Sequence, residues 1–192
     1  MGHREDLLVG AKRCLYEKGY ARTTARDLVA ASGTNLGSIG YHYGSKEALL
    51  DAALLDAVGE MNDALLRLIH TEHARGDFAA AWQRIIDEFD TYRPLLIAQV
   101  EAWAQVERSP ALRDRLAAFQ HDEVTRGIDQ ARATSPPVDE PTARALAAVT
   151  TMLADGLVVQ WLIDPESAPS GHDIAVGLRA LADAMDADDL AT

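Results

Sequence analysis

The chain has 192 residues, 48% of them apolar, 25% charged and 6% aromatic, with a formal net charge of −12. At about 100–200 residues per domain this is one domain, or one with a small appendage, large enough to bury a core without disulfides. The single Cys14 excludes an internal disulfide framework and a cysteine-built zinc site, and no apolar run approaches the roughly 18 residues of a membrane-spanning helix.

Helical periodicity then runs through the chain. Residues 4–18 place Leu7, Leu8, Ala11, Leu15 and Tyr16 on one stripe and stop at Gly19, a helix C-terminal signal. Thr24 is a good N-cap for a short helix over 25–32, with Leu28, Val29 and Ala31 on its apolar side and Asp27 three residues on. Ser32-Gly33-Thr34-Asn35 reads as a tight turn, and a third short helix covers 36–43, held by Leu36, Ile39 and Tyr43 packing on the first. Ser45 caps a long helix from Lys46 to about Ala74, with Leu49, Leu50, Ala53, Leu54, Ala57, Met61, Leu65 and Leu68 on one stripe. A segment from Asp77 through Trp82 and Phe89 ends near Arg93-Pro94. Pro fits the first turn of a helix, so Pro94 opens the next, to Arg108, and Pro110 opens a long one to about Ala133. Residues 140–163 form a long apolar helix, and 173–185 the last. No segment alternates as a strand does, and there is no internal repeat. The expectation is all-α, about nine helices: a three-helix head (residues 1–47) and an antiparallel helical body (residues 48–192), the linking helix starting near residue 46.

Charge divides along the same line. Residues 1–46 carry seven basic and four acidic residues, a balance of +3, and all three lysines; the remainder carries eleven and twenty-six, a balance of −15. A net charge of −12 argues against a nucleic-acid partner only if it is spread evenly, and it is not. Residues 1–6 turn charged at once and show no signal-like apolar stretch, so a reducing cytoplasm is the expected compartment.

Two short helices joined by a four-residue turn with Gly33 make a helix-turn-helix layout. The second helix of such a pair lies in the major groove and reads bases from its N-terminal residues. Here that end carries Thr34, Asn35 and Ser38, small and polar, followed by Tyr41 and His42, whose donors reach backbone. Ser45-Lys46 and Thr24 stand at helix N-termini, whose free N–H groups favour phosphate. Candidate DNA contacts are therefore Thr24, Thr34, Asn35, Ser38, Tyr41, His42 and Lys46, with Arg26 equally readable as ordinary surface.

The run Gly19-Tyr20, Thr23-Thr24, Leu28 and Ser32 to Leu50, ending Tyr41-His42-Tyr43-Gly44-Ser45-Lys46-Glu47-Ala48-Leu49-Leu50, resembles the N-terminal domain of TetR-family transcriptional regulators. Its Tyr-His-aromatic-x-Ser-Lys-x-x-Leu-Leu ending is highly specific, and the motif covers about residues 4–56. Asp155-Gly156-Leu157 to Gln160-Trp161-Leu162-Ile163-Asp164-Pro165 is similar to the family's C-terminal helices. The resemblance implies an all-helical homodimer, a double-stranded operator with pseudo-palindromic symmetry, a small-molecule inducer that is largely apolar, and a regulator, as a rule a repressor. Two positions depart from it: Gly40 stands where the family often has Tyr, and Thr34 where it often has Val. Gly40 removes a side chain that commonly meets phosphate, passing that role to Tyr41, and costs the helix roughly 1 kcal/mol against Ala.

In the body the same resemblance puts an inducer cavity among Trp82, Phe89, Trp103, Phe119 and Met152, with Gln99, Glu101, Glu123 and Asp155 as polar candidates; core packing explains each bulky residue as well. Residues on the last two helices, small or apolar except for Gln160 (Ala148, Gly156, Val159, Gln160, Leu178, Leu181), suit a two-fold interface between long helices. His70 and His73 with a distant His121 lack a placed third ligand and read as surface, so no metal or cofactor is expected. Cys14 reads as a small buried apolar group. Neither a G-x-S-x-G elbow, a phosphate-cradling glycine loop nor H-E-x-x-H occurs, so no enzyme is expected. The competing expectation is a helical small-molecule-binding or adaptor protein that has lost DNA binding, which Gly40 and the acidic body would suit.

Overall fold

The computed structural model describes residues 2–73, 77–132 and 138–189, with side chains described over 2–67, 77–132 and 138–187. Among the described residues there are nine helices and no strand: α1 (His3–Lys18), α2 (Ala25–Ser32), α3 (Leu36–Tyr43), α4 (Lys46–His73), α5 (Phe78–Asp87), α6 (Phe89–Trp103), α7 (Pro110–Arg132), α8 (Glu140–Ile163) and α9 (Gly171–Asp189).

Side-chain caps set most of the starts. At α2, Thr24 Oγ1 accepts from the Asp27 N–H at 3.2 Å while Asp27 Oδ2 accepts from the Thr24 N–H at 2.9 Å, a reciprocal box. The Lys18 ammonium and the Thr24 donors hold the Asp27 carboxyl well below the usual carboxylate range. Asn35 Oδ1 takes the Ser38 N–H at 3.1 Å to start α3, Asp77 the Ala80 N–H at 2.9 Å to start α5, and Asp139 the Thr142 N–H at 2.9 Å to start α8. Each such cap is worth about 1 kcal/mol. Gly33, closing α2 at φ +66°, supplies the left-handed turn that a β-carbon would oppose.

α1 is the hub of the head. It packs on α2, α3 and α4, and also on α6 of the body. Leu7, Ala11 and Leu15 on its inner stripe are wholly buried. At Gly10 the backbones of α1 and α2 touch: a β-carbon there would lie 2.8 Å from the Ser32 Cβ and backbone N. The long α4 continues this core without a break, since Leu49, Leu50, Ala53, Leu54, Ala57 and Met61 belong to one cluster reaching from Leu28 and Ile39 to Trp82, Phe89, Leu96 and Trp161. Burying each such leucine contributes about 1.5–3 kcal/mol. α7 and α8 pack along each other, and α9 packs on α5.

Three expectations change. The break near Pro94 lies earlier, at Asp87–Phe89, where the Glu88 N–H bonds the Ile85 and Ile86 carbonyls, so Pro94 sits inside α6. Its nitrogen has no hydrogen to donate to an intrahelical bond, and the buried Leu95, Leu96 and Ala98 hold the helix through it. α6 also stops at Trp103: residues 104–108 are turns, in which Gln105 N–H bonds Ala102 O at 2.9 Å and Arg108 N–H bonds Gln105 O at 2.9 Å. Finally, Leu36 is 57% exposed and does not help hold α3. It is the first helical residue, and side chains lean toward the helix N-terminus, which carries it off the packing face. Ile39 is buried as expected, and Tyr43 donates its hydroxyl to Arg4 O at 3.0 Å.

α8 has an unusual surface. By length and composition it could cross a membrane, despite the absence of a long unbroken apolar run, because leucines and valines keep its average high around Asp155. Only 22% of its most apolar window is buried. One side packs inward through Ala143, Ala147, Leu157, Val158 and Trp161; the other leaves Leu146, Val149, Met152, Val159 and Ile163 exposed.

Candidate nucleic-acid interface and body cleft

The outward side of α3 is built from its caps. Asn35 is exposed at the N-cap, Gly37 and Gly40 are exposed along the helix, and Tyr41 stands out at 85% exposure with its ring edge-on to His42, centroids 4.8 Å apart. Exposed Thr24 caps α2 and exposed Ser45 caps α4, where its Oγ accepts from the Ala48 N–H at 3.0 Å. α2, α3 and α4 thus each begin on an exposed side-chain cap.

Other predicted contacts are less free. Thr34 is half-buried, its hydroxyl 2.8 Å from that of Ser32. Ser38 is only 8% exposed and lies 3.5 Å from His3 Nδ1, so it faces the start of α1. Lys46 Nζ donates to Thr23 O at 3.3 Å and lies 3.4 Å from Glu47. The other two lysines are also engaged: Lys12 with Asp56 at 2.7 Å and Glu60 at 2.9 Å, and Lys18 with Asp27. Positive potential at this surface thus comes less from lysine than from helix ends and arginine. Arg26 is exposed and has no ion pair among the described residues.

Acidic residues border this stretch at the first turns of α2 and α4, Asp27 and Glu47, and do not enter it. No acidic residue lies between Asp27 and Glu47, although the chain carries 30. The whole turn and α3 are free of the charge that would repel phosphate.

Besides the Lys12 pairs with Asp56 and Glu60, two further ties join this head to the body. Glu101 of α6, expected in a cavity, instead accepts the Ala21 N–H at 3.1 Å. The Tyr20 hydroxyl donates to Asp51 Oδ1 at 2.5 Å, while Arg115 of α7 donates to the Ala48 carbonyl at 2.9 Å and lies 3.4 Å from Asp51 Oδ2. Burial pushes the Asp51 carboxyl up, against the pull of Tyr20 and Arg115. Burial and the Asp51 bond push the Tyr20 hydroxyl well above the usual phenol range. Asp51 lies 31 residues from Tyr20 and 64 from Arg115, which is why sequence reasoning missed the trio.

The body holds a cleft of about 420 Å³ between the end of α6, α7 and α8. Of the predicted lining, Trp103 and Asp155 are there. Trp82 and Phe89 are core, 4% and 2% exposed, and Phe89 meets Trp161 edge-on at 5.4 Å. Phe119 is half-buried against the core and the Gly59 position of α4. Glu123 accepts from Asn62 at 2.7 Å and pairs with Arg126. Gln99 is half-buried, and its Oε1 is buried without a hydrogen-bond partner. Met152 is 65% exposed beside a smaller groove of about 130 Å³ shared with Gly156, Gln160 and Ile174. Arg113, Leu116 and Gln120 of α7, which the sequence did not single out, also line the main cleft.

Among the expected interface residues, Ala148, Gly156, Val159 and Gln160 are exposed on α8, and no atom lies within 4 Å of a β-carbon built at Gly156. On α9 Leu181 is exposed and Leu178 half-buried. Cys14 is buried, as expected. The side chains of His70 and His73 lie outside the described residues; His121 is exposed.

Known proteins share both regions. The chain matches the family described as "Bacterial regulatory proteins, tetR family" over residues 7–53, and "Tetracyclin repressor-like, C-terminal domain" over residues 73–185. It is 24% identical over 180 residues to the HTH-type transcriptional regulator TtgR of Pseudomonas putida, covering 89% of this chain and 85% of that one. It is 37% identical over 62 residues to the HTH-type transcriptional repressor AcnR of Corynebacterium glutamicum, 32% of this chain and 33% of that. Among solved structures it is similar to the multidrug binding protein EbrR complexed with proflavin, at TM-score 0.64 and 26% identity over 93% of this chain and 99% of that. A TetR-family regulator from Rhodococcus sp. shares the fold at TM-score 0.62 and 24% identity, covering 96% and 98%.

Proposed function

The chain belongs to the TetR family of bacterial regulatory proteins, and on that premise we propose that it is a ligand-responsive repressor acting as a cytoplasmic homodimer on a pseudo-palindromic operator. The observation that carries the reading is the acid-free stretch from Leu28 to Lys46, in which Asn35 and Tyr41 are exposed at the start and along α3. Amides at the starts of α2, α3 and α4 and the Tyr41 hydroxyl suit phosphate, and Asn35 suits a base edge. Thr24, Tyr41, His42 and Lys46 hold register on the backbone. Thr34 and Ser38 serve chiefly to set α3.

Two heads must meet successive major grooves, about 34–36 Å apart. The exposed apolar side of α8, with Leu181 of α9, is the surface we assign to the two-fold contact. A patch of this kind marks an interface in a soluble protein. The body cleft takes the inducer. Release of DNA requires the inducer to bind better to the arrangement whose heads do not fit. The helices that line the cleft also touch the head: α6 through Glu101 and Ala21, α7 through Arg115, Asp51 and Tyr20. Movement of either helix therefore reaches α1 and α4.

The test is a gel shift against DNA upstream of the chain's own reading frame. Wild-type protein should bind with steep salt dependence, and Tyr41→Ala and Lys46→Ala should each weaken it. Lys46→Ala should also lower the salt slope by about one, for the phosphate it no longer neutralises. Absence of salt-dependent binding by wild type overturns the function; full affinity in both variants overturns the assignment of these side chains to DNA.

A further inference from the structure

Leu36 opens α3 and is 57% exposed, whereas Ile39 of the same helix is buried and Tyr43 bonds the Arg4 carbonyl. One exposed leucine on a protein surface is ordinary. Its position is not, because the second helix of a helix-turn-helix reads base edges from its N-terminal residues. Leu36 is the first of them.

Hydrogen-bonding side chains at this end of α3 are few. Asn35 Oδ1 is occupied by the Ser38 N–H at 3.1 Å, which leaves the Asn35 amide its donors alone. Reading adenine with a paired donor and acceptor needs both. Thr34 is half-buried with its hydroxyl 2.8 Å from that of Ser32, and Ser38 is buried. No arginine, lysine or glutamine occurs in α3, so the paired donors that read guanine are missing as well. Bare backbone flanks the leucine instead. Gly37 follows it, and Gly40 lies one turn on along the same side. Both are exposed, and no atom lies within 4 Å of a β-carbon built at Gly40. Alanine at position 40 would fit the free protein and favour the helix. Glycine there leaves the backbone of α3 open to close approach by a partner.

Major-groove edges offer one apolar group, the C5 methyl of thymine. We propose that Leu36 is a specificity-determining residue that packs on a thymine methyl in each half of the operator, with Gly37 and Gly40 letting α3 come close enough for the contact. The proposal rests on the functional reading above and adds what the operator must contain. At that position thymine is preferred to cytosine in both half-sites, by apolar contact in place of a paired hydrogen bond.

The experiment uses the full chain to enrich its binding site from random duplex DNA. Each thymine of the enriched duplex is then replaced singly by uracil, which keeps the hydrogen-bonding edge and removes only the methyl. One thymine in each half-site should be sensitive, with uracil there weakening wild-type binding about fourfold, the worth of one buried methyl group. Leu36→Ala should bind the thymine duplex more weakly and lose the distinction from uracil at that thymine, while keeping steep salt dependence. A merely structural loss would weaken both duplexes alike and leave the uracil penalty in place. Gly40→Ala should weaken the operator while circular dichroism shows the helices retained. Uracil tolerated at every thymine, or an equal uracil penalty in wild type and Leu36→Ala, overturns the methyl contact with DNA binding intact. Undiminished binding by Gly40→Ala overturns the close approach. Failure of wild type to bind any duplex in a salt-dependent way overturns the underlying function, and the role of Leu36 with it.

Discussion

The head and the body place their working residues by different means. In the head the distances are short in sequence: Thr24 caps through Asp27, Asn35 through Ser38, Ser45 through Ala48, and Gly33 turns the chain between them. In the body, Trp103, Arg113 and Asp155 reach one cleft from three separate stretches of chain. Local bonds hold a surface ready before any partner arrives, which suits a rigid, repetitive target such as DNA. A cleft assembled from distant helices changes shape when any of them shifts, which suits a signal. Yet the two regions share a core through α4 and α1, so they differ in design without being independent in stability.

Shared stability is the easiest part of this contrast to break. Leu50→Ala removes a side chain that is 1% exposed in the shared core and should cost about 2–5 kcal/mol. All three tryptophans lie in the body, so their emission reports that region, while amide exchange in α2 reports the head. Both should lose protection together in denaturant; unfolding of the head alone would show two cores. A smaller effect sharpens the link between them. Tyr20→Phe deprives buried Asp51 of one of its donors and should cost about 1–3 kcal/mol by denaturant unfolding. An unchanged midpoint would mean that Arg115 alone satisfies the carboxylate. Smallest is the effect of pH on the cleft. Because burial raises the folded-state value for Asp155, its ionised form opposes folding, and that penalty grows as pH rises from the ordinary value of 3.8 through the folded one. Asp155→Asn should therefore raise Tm slightly at pH 7, with the gap to wild type closing below pH 3.8. A gap that widens in acid would reverse the assignment.

Legibility in the sequence follows the same division. Helix starts at residues 25, 36, 46, 110 and 140 carry their own Thr, Asn, Ser or Pro signals and match the structure. The exposed residues of α3 were legible because a helix-turn-helix is written in contiguous residues. Ser38 was not, since it turns toward His3, 35 residues away. Pro94 misled because a proline tolerated inside a helix looks the same as one that opens it, the difference lying in buried neighbours on both sides. Glu101 looked like a cavity carboxylate until the fold set it against the Ala21 amide. Nothing in the amphipathic pattern of α7 distinguished Arg113 from any exposed arginine. The unmet bond at Gln99 exists only once the neighbours are in place.

The meeting of backbones at Gly10 has a consequence for inheritance rather than for binding. A position with no room for a β-carbon can be changed by a single base to any of several residues, and every one of them forces α1 from α2. Such a change leaves the DNA-facing side chains and the body cleft chemically untouched. It loosens the frame that aims them. The expected phenotype is conditional: regulation retained in the cold and abolished on warming, with an intact cleft throughout. Temperature-sensitive alleles of this gene should therefore cluster at the junction of α1 and α2, away from both surfaces that do the recognising.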